Sequence, residues 1–338
     1  MKTGNFAFIF MMLSLVGFSQ LPDFEWASQC GNPPNTTDTK TVLASCEDGS
    51  FFMAGEFLDT AQFGTKTIVS AGGTDVFLVK CAEDGEAIWS VRIGGTDYEY
   101  IQQIVSDDEG GVLVAGYFYG TTQIGPDIFT SYGSQDLFVA KYDQFGNFIW
   151  SIRAGGPMAD YLSGLALNPE QDFFIAGYFY NSITIGDTTL QDARSSDIFT
   201  AKFSADADLL WVSYAGGSSS DMVNSAVCDH EGNLLIAGAY YNDITMGDTT
   251  IMTTNPVGVY VAIFQPDGQL IQVFQLDGTY LTTEVNLAAK PSGGFYMAGN
   301  FSEQISFGND IFEAGEFNQD IFIASYDTYC DLQWARHA

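Results

Sequence analysis

The chain has 338 residues, 42 of them acidic and 11 basic, and a formal net charge of −31 at pH 7. This charge disfavours nucleic acid and anionic membrane surfaces as partners, because both are negatively charged and no Lys/Arg cluster offsets it locally. Hydrophobic residues make up 46% of the chain, with 28 Phe and 17 Tyr, which excludes an acidic disordered chain and predicts a substantial core.

The N-terminus predicts export. Lys2 precedes an apolar run over residues 6–16, and small residues follow before Gln20. This pattern is typical of a cleaved secretory signal at residues 1–19, and the run is shorter than the ~20 residues that a membrane-spanning helix needs. We therefore expect a secreted or cell-surface protein with no membrane insertion after signal cleavage.

From residue 51 onward the sequence repeats every 61 residues. An Ala-Gly dipeptide and a later single glycine both keep this step without drift. A fixed period of this length indicates units that each bury an apolar face on their neighbours. The two series are Ala54-Gly55, Ala115-Gly116, Ala176-Gly177, Ala237-Gly238 and Ala298-Gly299, and Gly64, Gly125, Gly186, Gly247 and Gly308.

Each unit predicts four strands, which in the third unit are residues 162–167, 173–179, 198–203 and 209–214. Residues 183–190, between the second and third strands, predict a small extra ribbon. Turn residues between the other strands favour antiparallel hairpins, since glycine supplies the positive φ of a tight turn. These are Gly49, Gly110, Gln171, Gly232 and Gly293 in the first hairpin, and Gly85, Gly146 and Gly268 in the second.

Tandem four-stranded antiparallel sheets favour an all-β fold, a β-propeller over residues 20–338, because radial packing leaves only short edges. The predicted blades are residues 27–89, 90–150, 151–211, 212–272 and 273–334. A parallel β-solenoid is the alternative, but its coils are shorter and lack hairpin turns. We expect the glycine of each Ala-Gly to mark a close approach between adjacent blades.

The tryptophans predict an incomplete ring. Trp26, Trp89, Trp150, Trp211 and Trp334, with Gln272 in the gap, mark six copies of strand four, whereas strands one to three occur five times. We therefore expect further blades beyond residue 338 in a longer natural product.

The segment Asp143-x-x-Gly146-x-x-x-Trp150 followed by Gly155-Gly156 resembles the SBBP beta-propeller repeat of secreted bacterial proteins, with partial copies over residues 26–338. The resemblance implies that each Trp ties the outer hairpin of one blade to the next, and that the protein is exported. Unit four departs from the pattern. It has Gln272 in place of Trp and Gly258 in place of the Asp that begins strand three, so we expect a looser or remodelled blade.

Residues able to carry chemistry are few. The two histidines, His230 and His337, lie near no nucleophile motif. Asp229-His230-Glu231 aligns with a hairpin turn, and residues 205–208 lack the later ligands of a calcium loop. We therefore predict no catalytic residue, no metal site and no cofactor. Of the five cysteines, Cys30 with Cys46 is one possible disulfide, and five isolated thiols is the other interpretation.

Aromatic residues give the one indication of a ligand. A first series recurs two residues after the Ala-Gly and shares one strand face, which favours packing between blades. A second series lies on the opposite face or at the strand end, where rings can stack on sugars. The first comprises Phe57, Phe118, Phe179, Tyr240 and Phe301; the second comprises Tyr117, Tyr119, Tyr178, Tyr180 and Tyr241.

These observations favour a non-enzymatic exported propeller, a binding, adhesion or structural module whose partner is an unknown cell-surface protein or glycan. A quinoprotein-like dehydrogenase is one alternative, because Asp-x-x-Gly-x-x-x-Trp also resembles the docking motif of those propellers, but the chain has no vicinal cysteine pair. A polysaccharide-active enzyme is the other. It would need His, Tyr or paired carboxylates in a cleft.

Overall fold

The computed structural model describes residues 40–308, 310–315 and 319–338, and this part of the chain consists of β-strands and turns without a helix. It accordingly contains no helix long and apolar enough to span a membrane. The predicted signal, Trp26 and Cys30 lie outside the described residues.

Four strands form each of five antiparallel units, as the sequence predicts. Unit one contains β1 (Thr41–Ser45), β2 (Phe51–Phe57), β3 (Thr60–Phe63), β4 (Lys66–Val69), β5 (Asp75–Cys81) and β6 (Ala87–Ile93), and β3 and β4 form its extra ribbon. Unit two contains β7 (Glu99–Ser106), β8 (Val112–Ile124), β9 (Asp127–Tyr142) and β10 (Phe148–Gly155). Unit three contains β11 (Asp160–Leu167), β12 (Phe173–Ile185), β13 (Thr188–Phe203) and β14 (Leu209–Gly216).

The last two units share one long strand. Unit four contains β15 (Asp221–Cys228), β16 (Leu234–Tyr240), β17 (Asp243–Met246), β18 (Thr249–Met252), β19 (Gly258–Phe264) and the first part of β20 (Leu270–Ala289). Unit five contains the rest of β20, β21 (Phe295–Phe307), β22 (Asp310–Glu313), β23 (Gln319–Tyr326) and β24 (Leu332–His337). In units two and three the predicted ribbon is a continuation of the second and third strands.

The hairpin turns have the predicted backbone. Residues at the tips have positive φ even where glycine is absent: Gln171 has φ 67° and Ala207 has φ 68°. Each of these side chains stands in a left-handed conformation that glycine adopts more easily. The repeat therefore imposes the turn geometry on residues that do not favour it.

Neighbouring units are joined through the ribbons. The end of strand four pairs with the ribbon of the following unit, as Ala154 does with Ile185 and Ala215 with Met246. Strand one of unit two also contacts strand one of unit three, because the Gln103 amide exchanges hydrogen bonds with the Leu165 backbone at 2.9 and 3.0 Å. Each unit thus stands face to face with the next.

The core lies between these faces. Phe118 and Phe138 of unit two pack with Phe52 and Leu78 of unit one, and the same pattern continues along the chain. The predicted packing series Phe57, Phe118, Phe179, Tyr240 and Phe301 is at most 4% exposed, so these side chains are core residues. Phe118 packs against unit one, whereas Phe57 packs within its own unit.

The Ala-Gly glycines lie close to their own unit. A Cβ on Gly116 would stand 2.0 Å from the Tyr100 carbonyl oxygen, and one on Gly177 would stand 1.9 Å from that of Tyr161. Both carbonyls belong to strand one of the same sheet, where a β-bulge shifts the register. The prediction that these glycines mark contacts between adjacent blades is therefore wrong.

The tryptophans make the predicted tie. Three indole Nε1–H groups donate to a carbonyl in the second hairpin turn of the following unit: Trp89 to Gln144 at 3.0 Å, Trp150 to Ala205 at 3.1 Å and Trp211 to Pro266 at 3.0 Å. The turn glycine lies against the ring, since a Cβ on Gly146 would stand 2.8 Å from Trp89. One side chain therefore fixes the outer edges of two units.

Unit four is remodelled rather than loosened. Gly258 leaves room for Tyr240, whose hydroxyl donates to Gln275 at 2.7 Å. Tyr260 occupies a position that is Phe in the other units, and its hydroxyl donates to the Met222 carbonyl at 3.0 Å. Both tyrosines have 0% exposure.

Candidate functional site

Six tyrosines at the ends of the first two strands form two matching trios in units two and three. Tyr100 pairs with Tyr117 across β7 and β8, and Tyr161 pairs with Tyr178 across β11 and β12. The rings of each pair stack, with centroids 5.1 Å apart in unit two and 4.7 Å apart in unit three. The third ring of each trio is Tyr119 in unit two and Tyr180 in unit three. It contacts both stacked rings edge-on, with ring centroids 6.2 to 6.4 Å apart.

We call the two trios together the tyrosine cluster. All six side chains are half-buried. Burial raises the pKa of Tyr117 and of Tyr178 to about 12, with smaller contributions from neighbouring tyrosines of both trios and, for Tyr117, from Glu56. These two hydroxyls are therefore protonated at neutral pH and can donate hydrogen bonds. The Tyr119 hydroxyl already donates to Gln135.

The tyrosine cluster breaks the symmetry of the repeat. The position of Tyr117 and Tyr178 is Glu56 in unit one, Ala239 in unit four and Asn300 in unit five. The framework that supports these positions is the same in every unit, whereas the side chains differ. Packing that is common to all units does not require tyrosines in two units only. Side chains that differ on a shared framework are the pattern expected of a ligand-binding surface.

Sequence reasoning found part of this cluster. It selected Tyr117, Tyr119, Tyr178 and Tyr180, which the structure brings together. It also selected Tyr241, which lies in unit four, where the stacked pair is replaced by Met222 and Ala239. It missed Tyr100 and Tyr161. Their separation by one repeat was the available signal, but their partners became visible only with the strand register.

Buried carboxyl groups form a second repeated feature. Asp75, Glu99, Asp136 and Asp160 have 0% exposure. Burial raises the pKa of Glu99 to about 7, of Asp136 to about 6 and of Asp160 to about 8. Perturbed carboxyls often mark active sites, but a catalytic carboxyl must reach its substrate. These groups lie inside the packed units and so cannot form the paired acids of an open cleft.

The other candidates are structural. The Asp229 carboxylate accepts the backbone N–H groups of Glu231 and Asn233 at 2.9 Å each, so this segment is the predicted hairpin turn, and His230 is exposed in it. The His337 ring stacks on Phe312 at 4.6 Å. Within the described residues no three His, Cys, Asp or Glu side chains are arranged to hold a metal ion. The cysteines of that part, Cys46, Cys81, Cys228 and Cys330, form no disulfide with one another.

A groove of about 450 Å³ lies on the outer face of unit five, lined in part by Asn300, Ile321, Ile323 and Arg336. Ile321 is 58% exposed and Ile323 is 43% exposed. The matching face of unit two packs on unit three through Leu137 and Val139. The groove is therefore the face that each earlier unit buries against its successor.

Two curated proteins resemble parts of the chain. An uncharacterised WD repeat-containing protein of Acanthamoeba polyphaga mimivirus is 22% identical over 202 residues, which cover 49% of this chain and 14% of the viral protein. The regulatory protein FlaEY of Caulobacter vibrioides is 26% identical over 211 residues, which cover 59% of this chain and 22% of that protein. The chain thus spans under a quarter of these relatives' length. Together with the antiparallel units, the WD repeat relative supports a propeller-like repeat protein.

No protein-family model matches the chain, so the SBBP relationship remains a resemblance. A protein of unknown function from Bacteroides caccae covers 88% of this chain and 81% of its own, at 12% identity and a TM-score of 0.46. A puromycin hydrolase covers 88% of this chain and 53% of its own, at 12% identity and a TM-score of 0.25. Likeness at these scores carries no functional argument.

Proposed function

We propose that this chain is an exported, non-enzymatic β-propeller of about five blades that binds a cell-surface glycan or protein through the tyrosine cluster. The observation that carries the proposal is the confinement of six half-buried tyrosines, whose rings contact one another within each trio, to units two and three. Aromatic rings supply large contact area at low entropic cost, and their hydroxyls add directional hydrogen bonds.

The strand framework suits such a role. Tyr100 and Tyr161 lie on strand one, and their partners lie on strand two, so the rings project from paired strands rather than from mobile loops. Ring–ring contacts hold the side chains in place before a ligand arrives, which lowers the entropy lost on binding.

The tyrosine cluster can be tested by single substitutions. We expect Tyr117→Ala and Tyr178→Ala each to weaken ligand binding at least tenfold, because a central aromatic contact contributes about 1.4 kcal/mol or more. The measurement is a glycan-array and surface-extract screen of the wild-type protein, followed by titration of the best ligand. Tyr214→Ala is the matched control, since Tyr214 is 54% exposed on β14 and stands outside the cluster. Equal affinity of the wild-type protein and both cluster variants would show that the tyrosine cluster is not the binding site.

Export is tested separately. Protein recovered from its native host is expected outside the cytoplasm with an N-terminus at or near Gln20, because residues 1–19 match a cleaved signal. N-terminal sequencing or intact mass measures this directly. Recovery of a chain that still carries Met1 would contradict it.

A further inference from the structure

Each Gly-Gly pair between the first four units separates two buried carboxyl groups, one from each neighbouring unit. In the second junction a Cβ on Gly155 would stand 2.2 Å from the Asp136 carboxyl carbon, while the Gly156 N–H donates to Asp160 Oδ2 at 2.7 Å. The third junction repeats this with Gly216 against Asp197 and the Gly217 N–H donating to Asp221 at 2.8 Å.

The first junction has the same construction. A Cβ on Gly94 would stand 2.3 Å from the Asp75 carboxyl carbon, and Glu99 follows Gly95 at the start of the next unit. The first glycine of each pair is required because any side chain would collide with the strand-three carboxyl, and the second because a side chain would collide with a backbone carbonyl, which is that of Ser182 for Gly156. The sequence thus keeps two acids and two glycines together at three successive junctions.

The fourth junction lacks both acids. Gly258 stands where Asp197 stands in unit three, Thr282 stands one repeat after Asp221, and Asp277 stands one repeat after Gly216. At each of the four junctions the two positions are both acidic or both non-acidic. This joint loss within one chain indicates that the two carboxyls act together rather than as separate caps.

Little positive charge neutralises these pairs. Arg92 donates to Asp75 Oδ2 at 3.1 Å, and Arg153 lies near Asp136 while its guanidinium stacks on Tyr132 at 3.9 Å. Glu99 and Asp160, the acids of strand one, form no ion pair with any described residue. The charged groups that raise their pKa further are acidic: Asp75 and Asp97 for Glu99, and Asp136 for Asp160.

Several carboxyl oxygens also lack hydrogen-bond donors. Oδ1 of Asp75 and Oδ1 of Asp160 have no hydrogen-bond partner among the described residues, whereas Glu99 has the Gly95 N–H and the Thr122 hydroxyl beside it. An ionised carboxylate in this setting loses more hydration than its one or two hydrogen bonds replace, so the protonated form is favoured. A second nearby carboxylate adds to this preference.

We propose that each of these carboxyl pairs retains a proton in the folded protein and thereby makes the packing of neighbouring units pH-dependent. For an acid whose pKa is raised by folding, the folded state binds more protons than the unfolded state between the two pKa values, so stability falls as pH rises through that interval. For Asp160 the interval runs from an unfolded value near 4 to about 8.

The test is thermal unfolding between pH 6 and pH 9 at constant ionic strength. We expect the wild-type melting temperature to fall by about 5 °C or more across this range, and Asp160→Asn to show a clearly smaller fall because its amide cannot ionise. Asp206→Asn, an exposed turn residue, is the control and should keep the wild-type slope. An unchanged slope in Asp160→Asn would overturn the proposal.

A second measurement covers the case in which Asp160→Asn fails to fold. Carboxyl ¹³C chemical shifts of the wild-type protein should show at least two Asp or Glu side chains that titrate above pH 6. Titration of every carboxyl below that pH would refute the proposal. A melting temperature restored by Ca²⁺ at pH 9, and lost again on chelation, would also refute it, because a cation rather than a proton would then neutralise the pairs.

Discussion

Trp150→Ala is expected to lower the free energy of unfolding by about 3 to 5 kcal/mol, the range for truncating a large aromatic side chain in a packed core. The indole stacks on Phe173 of the next unit, with centroids 5.2 Å apart and ring planes 16° apart. Its Nε1–H also donates to the Ala205 carbonyl at 3.1 Å. Truncation therefore opens a cavity at the unit junction and removes the link to the following hairpin turn.

The chain contains its own control for this prediction. Gln272 occupies the same strand-four position in unit four and is exposed. Gln272→Ala is expected to cost under about 1 kcal/mol, as at an ordinary surface site. Urea denaturation of the two variants measures the difference. Equal losses would mean that the repeat alignment, and with it the role assigned to Trp150, is incorrect.

Much of the fold could be predicted because the repeat supplies five versions of each local pattern. The strand order within a unit, the hairpin turns and the extra ribbon all follow from residues that recur at the same step. Gln171 and Ala207 are examples. Each has a positive φ because it occupies a turn position that is glycine in other units. A single copy of either segment would not have predicted a tight turn.

Atomic contacts between distant residues could not be read in the same way. The Ala-Gly glycines were expected at contacts between blades, but the bulge that brings the Tyr100 and Tyr161 carbonyls against them depends on a register shift that the sequence pattern does not specify. The carboxyl pairs show the same limit. Asp136 and Asp160 are ordinary acids in the sequence, and their proximity depends on how one unit packs on the next.

The tyrosine cluster lies between these cases. Period-two geometry places Tyr117 and Tyr119 on one face of strand two, so a shared surface could be predicted from sequence alone. Whether these rings are covered by the neighbouring unit depends on the side chains packed beside them. The half-buried state of the rings and the contribution of strand one are therefore visible only in the three-dimensional structure.

Gly258→Asp is expected to cost about 3 kcal/mol, although aspartate is the residue at this position in units one to three. A Cβ on Gly258 would stand 2.3 Å from two ring carbons of Tyr240 and 2.8 Å from its hydroxyl oxygen. The aspartate would therefore collide with a fully buried ring and place a carboxylate where no strand-one acid remains to share its proton. In unit three Phe179 pairs with Asp197 in the same register, so a phenylalanine at this position is compatible with the aspartate.

The Tyr240→Phe background should relieve part of this cost. We expect the double variant to be about 1 to 3 kcal/mol more stable than the sum of the two single losses predicts, since residues in direct contact couple by amounts of this size. Urea denaturation of the four proteins of the cycle gives the coupling energy. Gly247→Ala serves as the control, because Gly247 has positive φ and open space around its missing Cβ. It should cost about 1 to 2 kcal/mol through backbone strain and add independently to Tyr240→Phe. Strict additivity in the Gly258 cycle would show that the two departures of unit four are unrelated.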